Sequence, residues 1–109
     1  MVLRAAVLIL AFSTAPLAAE ARDLKAFFQQ HCAPCHGPDG TGRGPNGGRL
    51  GGRNLADGRW LAKQDQARLV ASILKGQGAM PGFRRQLGED EARRLLTSVI
   101  GPQAARKKR

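Results

Sequence analysis

Apolar residues recur at three- and four-residue intervals in three stretches of the chain, near positions 24–31, 64–75 and 89–100. Such spacing places the apolar side chains on one face of a helix, so we predict three amphipathic helices. Nowhere do apolar and polar residues alternate for long enough to predict a useful strand. The apolar faces consist of Leu24, Phe27, Phe28 and His31 in the first stretch, Leu69, Val70, Ile73 and Leu74 in the second, and Ala92, Leu95, Leu96, Val99 and Ile100 in the third.

The residues at the ends of these stretches indicate where each helix begins and ends. Asp23 precedes the first stretch, and the acidic run that begins at Glu89 suits the positive end of the third helix. Gly76 directly follows the second stretch, and we predict that the third helix ends at Gly101-Pro102. The fold class expected from this pattern is all-α, with three or more helices.

A long segment between the first two helices has no periodic pattern. It reads GPDGTGRGPNGGRLGGRNLADGR and is dominated by glycine and charge. A loop of this length in a compact domain is usually functional or wrapped around another group. The whole chain has 109 residues with only four phenylalanines and one tryptophan, so it can build only a small core. A large apolar cofactor would complete such a core.

The first 21 residues have the pattern of an export signal. A positive charge at Arg4 precedes the apolar run AAVLILAF, and the small residues near position 20 fit cleavage after Ala21 or Ala19. The uncharged run is too short to span a bilayer comfortably. We therefore expect a periplasmic protein with a signal peptide at 1–21, a folded domain at 22–101 and a basic flexible tail at 102–109.

The charge of the chain is strongly positive. Eighteen Lys and Arg residues against eight Asp and Glu give a net charge of +10, and the last four residues, from Arg106 to Arg109, carry four of the positive charges. Nucleic acid is not expected as a partner, because the protein is exported and its basic cluster is terminal. A basic surface suits acidic patches on redox partner proteins, or anionic lipid headgroups in a peripheral membrane association.

Both cysteines and both histidines lie within the six positions 31–36. Cys32, Cys35 and His36 stand at i, i+3 and i+4, which places them on one face of a helical turn. A thioredoxin-like pair would need a βαβ setting, which the pattern lacks. A zinc site would need a fourth ligand, and His31 is poorly placed for that role beside Cys32. The C-x-x-C-H spacing is that of a c-type haem attachment site, where both thiols bond the haem and the histidine binds its iron.

Met80 is the candidate for the second axial position on that iron. It is the one methionine after the predicted signal peptide, and it lies in the glycine-rich segment GQGAMPGF. Pro81 favours an extended backbone at Met80, and the glycines allow the chain to approach a flat ring closely. A lone methionine is usually core filler, but a thioether is also a soft, neutral ligand that favours ferrous iron and raises the reduction potential.

With these residues identified, the sequence resembles the small class I, monohaem cytochromes c of bacteria. FFQQHCAPCHGPDGTGRG resembles the attachment region of that family, and NLADGRW resembles the segment after its haem loop. LVASILKGQGAMPGF and LGEDEARRLLTSVI resemble its helix, methionine loop and C-terminal helix. The resemblance implies a cytochrome c fold around one covalently bound haem c, with thioether bonds at Cys32 and Cys35 and axial ligands at His36 and Met80.

The implied function is single-electron transfer without substrate turnover, by a monomeric periplasmic carrier that serves other redox proteins. One alternative is the haem subunit of a periplasmic oxidoreductase complex, and others are a peroxidase-like protein and a gas sensor. A peroxidase needs an open iron position with acid–base groups above it, and a sensor needs a labile sixth ligand. Met80 would close that position.

Details of the haem surroundings are left open by the sequence. The family commonly uses a proline carbonyl before the NL segment to accept the N–H of the proximal histidine, whereas Gly52 and Arg53 stand there, with Pro45 as an alternative. The C-terminal helix also lacks the aromatic residue that family members commonly place against the first helix. Trp60 suits a haem propionate contact and ordinary packing equally, and His31 is expected to be a partly exposed helix residue.

Overall fold

The structure, a computed structural model, describes residues 3, 5–11 and 22–107. The expected signal cleavage sites lie outside this part of the chain. Among the described residues no strand longer than an isolated bridge occurs, and no helix is long and apolar enough to cross a membrane. The all-α prediction is confirmed. The helices are α1 (Leu24–Phe27), α2 (Ala33–His36), α3 (Gly58–Ala62), α4 (Gln66–Lys75), α5 (Glu89–Leu95) and α6 (Gly101–Lys107), with π-helical turns at Phe28–Cys32 and Leu96–Ile100.

Short acidic side chains begin three of these helices. Asp23, Asp57 and Asp65 each accept backbone N–H bonds of 3.0–3.1 Å from the first turn that follows. These bonds satisfy donors that have no partner inside the helix. The second predicted helix is α4, and it ends at Gly76, whose φ of +80° favours glycine. The short helix α3 was not predicted.

Consecutive helical elements join into two long helical runs, residues 24–36 and 89–107, and in each a π-helical turn stands immediately before a proline. The N–H of Ala33, before Pro34, donates to the carbonyl of Phe28, and the N–H of Gly101, before Pro102, donates to the carbonyl of Leu96. In a regular α-helix the proline ring clashes with the carbonyl four residues earlier. The wider turn relieves that crowding, because it changes the hydrogen-bond register at the proline. Helical structure therefore continues past both prolines.

The prediction that the third helix ends at Gly101-Pro102 is wrong. Helical structure continues through α6 to Lys107, and α6 packs against α3. Gln103 and Ala104 are only 5% and 3% exposed. Residues 102–107, six of those expected to form a flexible tail, are therefore helical. The prediction failed because a proline normally ends a helix.

The core is formed where the first helical run and α4 pack on α5. Phe28, Leu87 and Leu95 are its most completely buried large side chains. In this cluster the aromatic side chains come from the first helical run and from Phe83, whereas α5 and the π-helical turn after it contribute aliphatic residues. The contact between the two terminal helical runs is therefore aromatic on one side only.

Substitution of Gly40 tests whether α6 is packed where the structure places it. Gly40 has a φ of +82°, and a Cβ atom there would lie 2.6 Å from Oε1 of Gln103 on α6. We expect Gly40→Ala to lower the free energy of unfolding by about 1–3 kcal/mol for the backbone conformation alone, with a further loss because Gln103 is 5% exposed and has little room to move aside. Denaturant titration measures this change.

Gly47→Ala is the matched control for this prediction. Gly47 has nearly the same φ, +81°, but a Cβ atom there meets no other atom within 4 Å. The control therefore carries the conformational cost without the clash, and Gly40→Ala/Gln103→Ala should recover part of the loss. Equal costs for Gly40→Ala and Gly47→Ala would show that the side chain of Gln103 does not limit the space at Gly40.

Candidate functional site

The two cysteines of the C-x-x-C-H motif have different surroundings. Cys32 ends the first π-helical turn and is buried, whereas Cys35, on α2, is exposed, and both thiols are free. Burial raises the pKa of the Cys32 thiol to about 11. A thiol of that kind stays protonated at neutral pH, which is the opposite of the acidic thiolate that a thioredoxin-like site requires.

The imidazole of His36 is oriented by a backbone carbonyl. Its Nδ1 atom lies 2.8 Å from the carbonyl oxygen of Arg53. Because a carbonyl oxygen can only accept, Nδ1 must carry the proton in this contact, which leaves Nε2 free to bind a metal. Of the three carbonyls that the sequence left open, those of Gly52, Arg53 and Pro45, the structure places Arg53 against the ring.

Gly52 keeps the neighbouring Arg53 carbonyl close to the C-x-x-C-H motif. Its N–H donates to the carbonyl of Cys35 at 2.8 Å. A Cβ atom on Gly52 would collide with the same carbonyl oxygen, so a residue without a side chain is required here. Two consecutive loop residues, Gly52 and Arg53, thus bind the C-x-x-C-H turn, one to its backbone and one to the imidazole of His36.

Met80 is fixed by a tight turn at the end of α4. Gln77 and Met80 exchange two backbone hydrogen bonds of 3.0 Å, and Gly78 between them has a φ of +56°. Beyond Pro81 the chain returns to α4, where the N–H of Phe83 donates to the carbonyl of Ile73 at 2.9 Å. The methionine side chain therefore projects from a segment tied to α4 on both sides.

Three of the four predicted site residues line one cavity. Cys32, His36 and Met80 border a cavity of about 440 Å³, whereas exposed Cys35 is not among its lining residues. The volume lies within the range of small-molecule and cofactor sites. The cavity also has an apolar wall formed by Leu55, Leu61, Leu69, Ile73, Leu95, Leu96 and Ile100, and a polar side formed by Arg53, Trp60, Gln64, Arg68, Ser72 and Gln77.

The donor set fits a covalently held haem better than a bare metal ion. In the described part of the chain no three His, Cys, Asp or Glu side chains come together to hold a metal. The cavity instead offers one imidazole with a free Nε2, one thioether and an apolar wall. Its one thiol is that of Cys32, the first residue of the C-x-x-C-H motif. This combination suits a flat apolar ring with iron at its centre.

Comparison with known proteins agrees with this geometry. The family model described as cytochrome C oxidase, cbb3-type, subunit III, matches residues 19–97. The chain belongs to this family of c-type cytochromes. Membership confirms the predicted cytochrome c fold and the predicted cofactor, a covalently bound haem c.

Individual relatives of this cytochrome include oxidase subunits and other small cytochromes. The oxidase subunit FixP of Azorhizobium caulinodans is 37% identical over 66% of this chain and 24% of its own length. Cytochrome c6 of Synechocystis is 32% identical over 84% of this chain and 73% of its own. The solved KustC0563 c-type cytochrome superposes with a TM-score of 0.60 at 34% identity, over 73% of this chain and 96% of its own. This cytochrome spans about a quarter of the length of the oxidase subunits it matches.

Trp60 and His31 of the cytochrome occupy different surroundings. Trp60 lines the cavity, and the guanidinium of Arg53 stacks 4.0 Å from the centre of its ring. His31 is half-buried, as expected, and its ring lies 4.4 Å from that of Phe27 and 5.7 Å from that of Phe83. It does not line the cavity, which argues against a role for His31 as an iron ligand.

Sequence reasoning missed the polar side of the cavity. Arg68 and Ser72 are four residues apart on α4 and both line it, beside the apolar Leu69 and Ile73. The i, i+4 spacing of these two polar residues was a signal that they share a helix face. Sequence reasoning treated only the apolar stripe of α4 as inward-facing.

Proposed function

We propose that this chain is an exported, periplasmic single-electron carrier that binds one haem through Cys32 and Cys35, with His36 and Met80 as its axial ligands. The observation that carries the proposal is the single cavity in which Cys32, His36 and Met80 meet an apolar wall. Such a haem supplies one-electron exchange at its iron when bound. The protein has no substrate to transform.

The residues of the cavity have separable roles in this proposal. His36 presents Nε2 because Arg53 holds its Nδ1 proton. Met80 supplies a neutral thioether, which favours the ferrous state and raises the potential. The apolar wall keeps water away from the iron, so little solvent has to reorganise when the charge of the site changes.

The makeup of the cavity lining favours a carrier over a peroxidase. Among the described residues that line it, His36 is the single imidazole, and no carboxylate is present. A peroxidase needs an acid–base group above an open iron position. In the proposed ligation, Met80 would occupy that position.

Covalent attachment is the direct test of the proposed site. The protein should be expressed with a haem-attachment system, extracted with acidified organic solvent and analysed by intact mass. We expect the mass of the polypeptide plus one haem, with the haem on the peptide that contains Cys32 and Cys35. Haem that extracts freely from protein matured in this way would refute the proposal.

A second candidate function is the haem domain of a larger oxidoreductase. The family match to an oxidase subunit favours it, and the chain corresponds to about a quarter of such subunits. Purification from solubilised membranes and from the periplasmic fraction distinguishes the two candidates. A free carrier appears as a soluble monomer, with at most a salt-sensitive association with the membrane, whereas a subunit co-purifies with its complex.

The charge distribution suits acidic redox partners. Both ion pairs found among the described residues involve α5: Arg22 with Glu91 at 3.4 Å, and Arg93 with Glu89 at 3.2 Å. Arg53 and Arg68, which line the cavity, take part in no ion pair in the described part of the chain. In this proposal, the two guanidinium groups contribute positive charge beside the haem, which would help to steer an acidic partner towards it.

Electron transfer to an acidic partner should slow as salt is added, because the Debye length falls from about 10 Å at 0.1 M to about 3 Å at 1 M.

At low salt, Arg68→Gln should slow the second-order rate constant of electron transfer by up to about fivefold, as expected for one charge pair near the surface. Arg94→Gln, on α5, is the matched control and should have a smaller effect. Replacement of Arg106, Lys107, Lys108 and Arg109 by glutamine, which keeps α6 at its full length, should also weaken the salt dependence without changing the haem spectrum. A rate indifferent to ionic strength would refute steering by the basic surface.

A further inference from the structure

Arg53 connects three parts of the site. Its carbonyl oxygen lies 2.8 Å from Nδ1 of His36, and its guanidinium stacks on the ring of Trp60 at 4.0 Å. The residue before it, Gly52, donates its N–H to the carbonyl of Cys35. Arg53, in the glycine-rich loop between α2 and α3, is therefore in contact with both the haem-attachment turn and α3.

The backbone of Trp60, whose ring stacks with Arg53, is fixed by two hydrogen bonds. Its backbone N–H donates to Oδ1 of Asp57 at 3.1 Å at the start of α3, and its backbone carbonyl accepts a 3.1 Å hydrogen bond from Nε2 of Gln64. The ring also forms part of the cavity wall. A guanidinium that lies on this ring is attracted by its electron-rich face and is thereby tied to α3.

The loop before Arg53 has little intrinsic rigidity. Four of the six residues from 47 to 52 are glycines, and Gly47 and Gly51 have φ values of +81° and +102°. A glycine-rich segment loses more conformational freedom on ordering than other sequences do. Backbone hydrogen bonds hold the loop at Leu50, which donates to Gly42, and at Gly52, which donates to Cys35. The contact of the Arg53 side chain adds an anchor at the residue whose carbonyl faces His36.

We propose that Arg53 is a positioning residue for the proximal histidine, and that its stack on Trp60 keeps its carbonyl on Nδ1 of His36. The inference rests on the proposed role of His36 as an iron ligand. The side chain acts through the backbone: removal of the guanidinium leaves the carbonyl in the chain but frees it to move away from the ring. Trp60 then contributes to the site by holding Arg53, whether or not it also contacts the haem.

Exchange of the His36 Nδ1 proton with solvent measures this contact directly. NMR of the reduced, haem-loaded protein should show the exchange accelerated about two- to fivefold in Arg53→Ala and in Trp60→Leu, the factor expected for loss of an exposed cation–π contact. Arg59→Ala removes an equal charge from the residue next to Trp60 and should leave the exchange unchanged. Exchange of the amide of Ala92, in the core helix α5, corrects for any change in global stability.

A double-mutant cycle separates one shared contact from two independent effects. Arg53→Ala/Trp60→Leu should exchange no faster than either single variant, because both remove the same interaction. Arg53→Lys and Trp60→Phe should fall between wild type and those variants, and Trp60→Phe replaces Trp60→Leu if the latter does not mature. Unchanged exchange in both single variants, or additive effects in the double variant, would overturn the inference.

The outcome is distinguishable from failure of the proposed function. If His36 does not bind the iron, the optical spectrum of the wild-type protein already differs from that of a low-spin cytochrome c. If that spectrum is normal and the exchange does not respond to Arg53→Ala, only the positioning role of Arg53 is refuted.

Discussion

Replacement of Met80 by alanine should lower the midpoint potential of the haem by roughly 100 mV or more, about an eighth of the ~0.8 V range that axial ligands control. The direction follows because a neutral thioether favours ferrous iron, and its loss removes that preference. The weak sulfur-to-iron charge-transfer absorption of the oxidised protein should disappear. The opened position should accept water or carbon monoxide, and modest peroxidase activity is expected. Potentiometric titration with optical detection measures the change in potential.

Leu69→Ala is the matched control for this result. Leu69 lines the same cavity and packs against the same core, but it has no atom that can bind iron. The control should loosen the cavity and lower stability while it retains the sulfur-to-iron absorption. A similar loss of potential and absorption in both variants would mean that Met80 acts by packing and not as a ligand.

Without attached haem, the chain should not remain stably folded. In the variant Cys32→Ala/Cys35→Ala the cavity of about 440 Å³ would have no covalently bound occupant. Without the haem, the apolar side chains that line this cavity lose the group they would pack against, and a domain of this size has little stability in reserve to offset that loss. We expect weak helical circular dichroism and no cooperative thermal transition.

Wild-type protein produced without the attachment machinery serves as the control, because it keeps both thiols and lacks only the haem. It should behave like the double variant. A cooperative transition in the haem-free chain, close in temperature to that of the loaded protein, would show that the helices hold together without a cofactor. The cavity would then have to collapse on itself.

The parts of the site that follow from local chemistry could be predicted from the sequence. The C-x-x-C-H spacing, the glycines around Met80 and the stop at Gly76 each depend on a few neighbouring residues. The structure brings Cys32, His36 and Met80 to one cavity, although 43 residues separate His36 from Met80 in the sequence. The bound haem itself stays a prediction for these particular residues.

The features that the sequence did not reveal depend on contacts between distant segments. The carbonyl partner of His36 is 17 residues away, and its choice depends on how the glycine loop folds back onto α2. Helix α6 was missed because Pro102 normally ends a helix, and its continuation requires the preceding π-helical turn and burial of Gln103 against the loop. Helix α3 is too short for a periodic pattern, and only the cap at Asp57 signalled it.

Addition of carbon monoxide to the reduced wild-type protein at neutral pH shows whether Met80 is bound to the iron. If His36 and Met80 occupy both axial positions, the spectrum of the reduced protein should stay unchanged while that of Met80→Ala converts to the carbon monoxide complex. Rapid formation of that complex by the wild-type protein, together with absence of the sulfur-to-iron absorption when it is oxidised, would contradict the account. Met80 would then not be a stable ligand, and a sensor or an enzyme would replace the electron carrier.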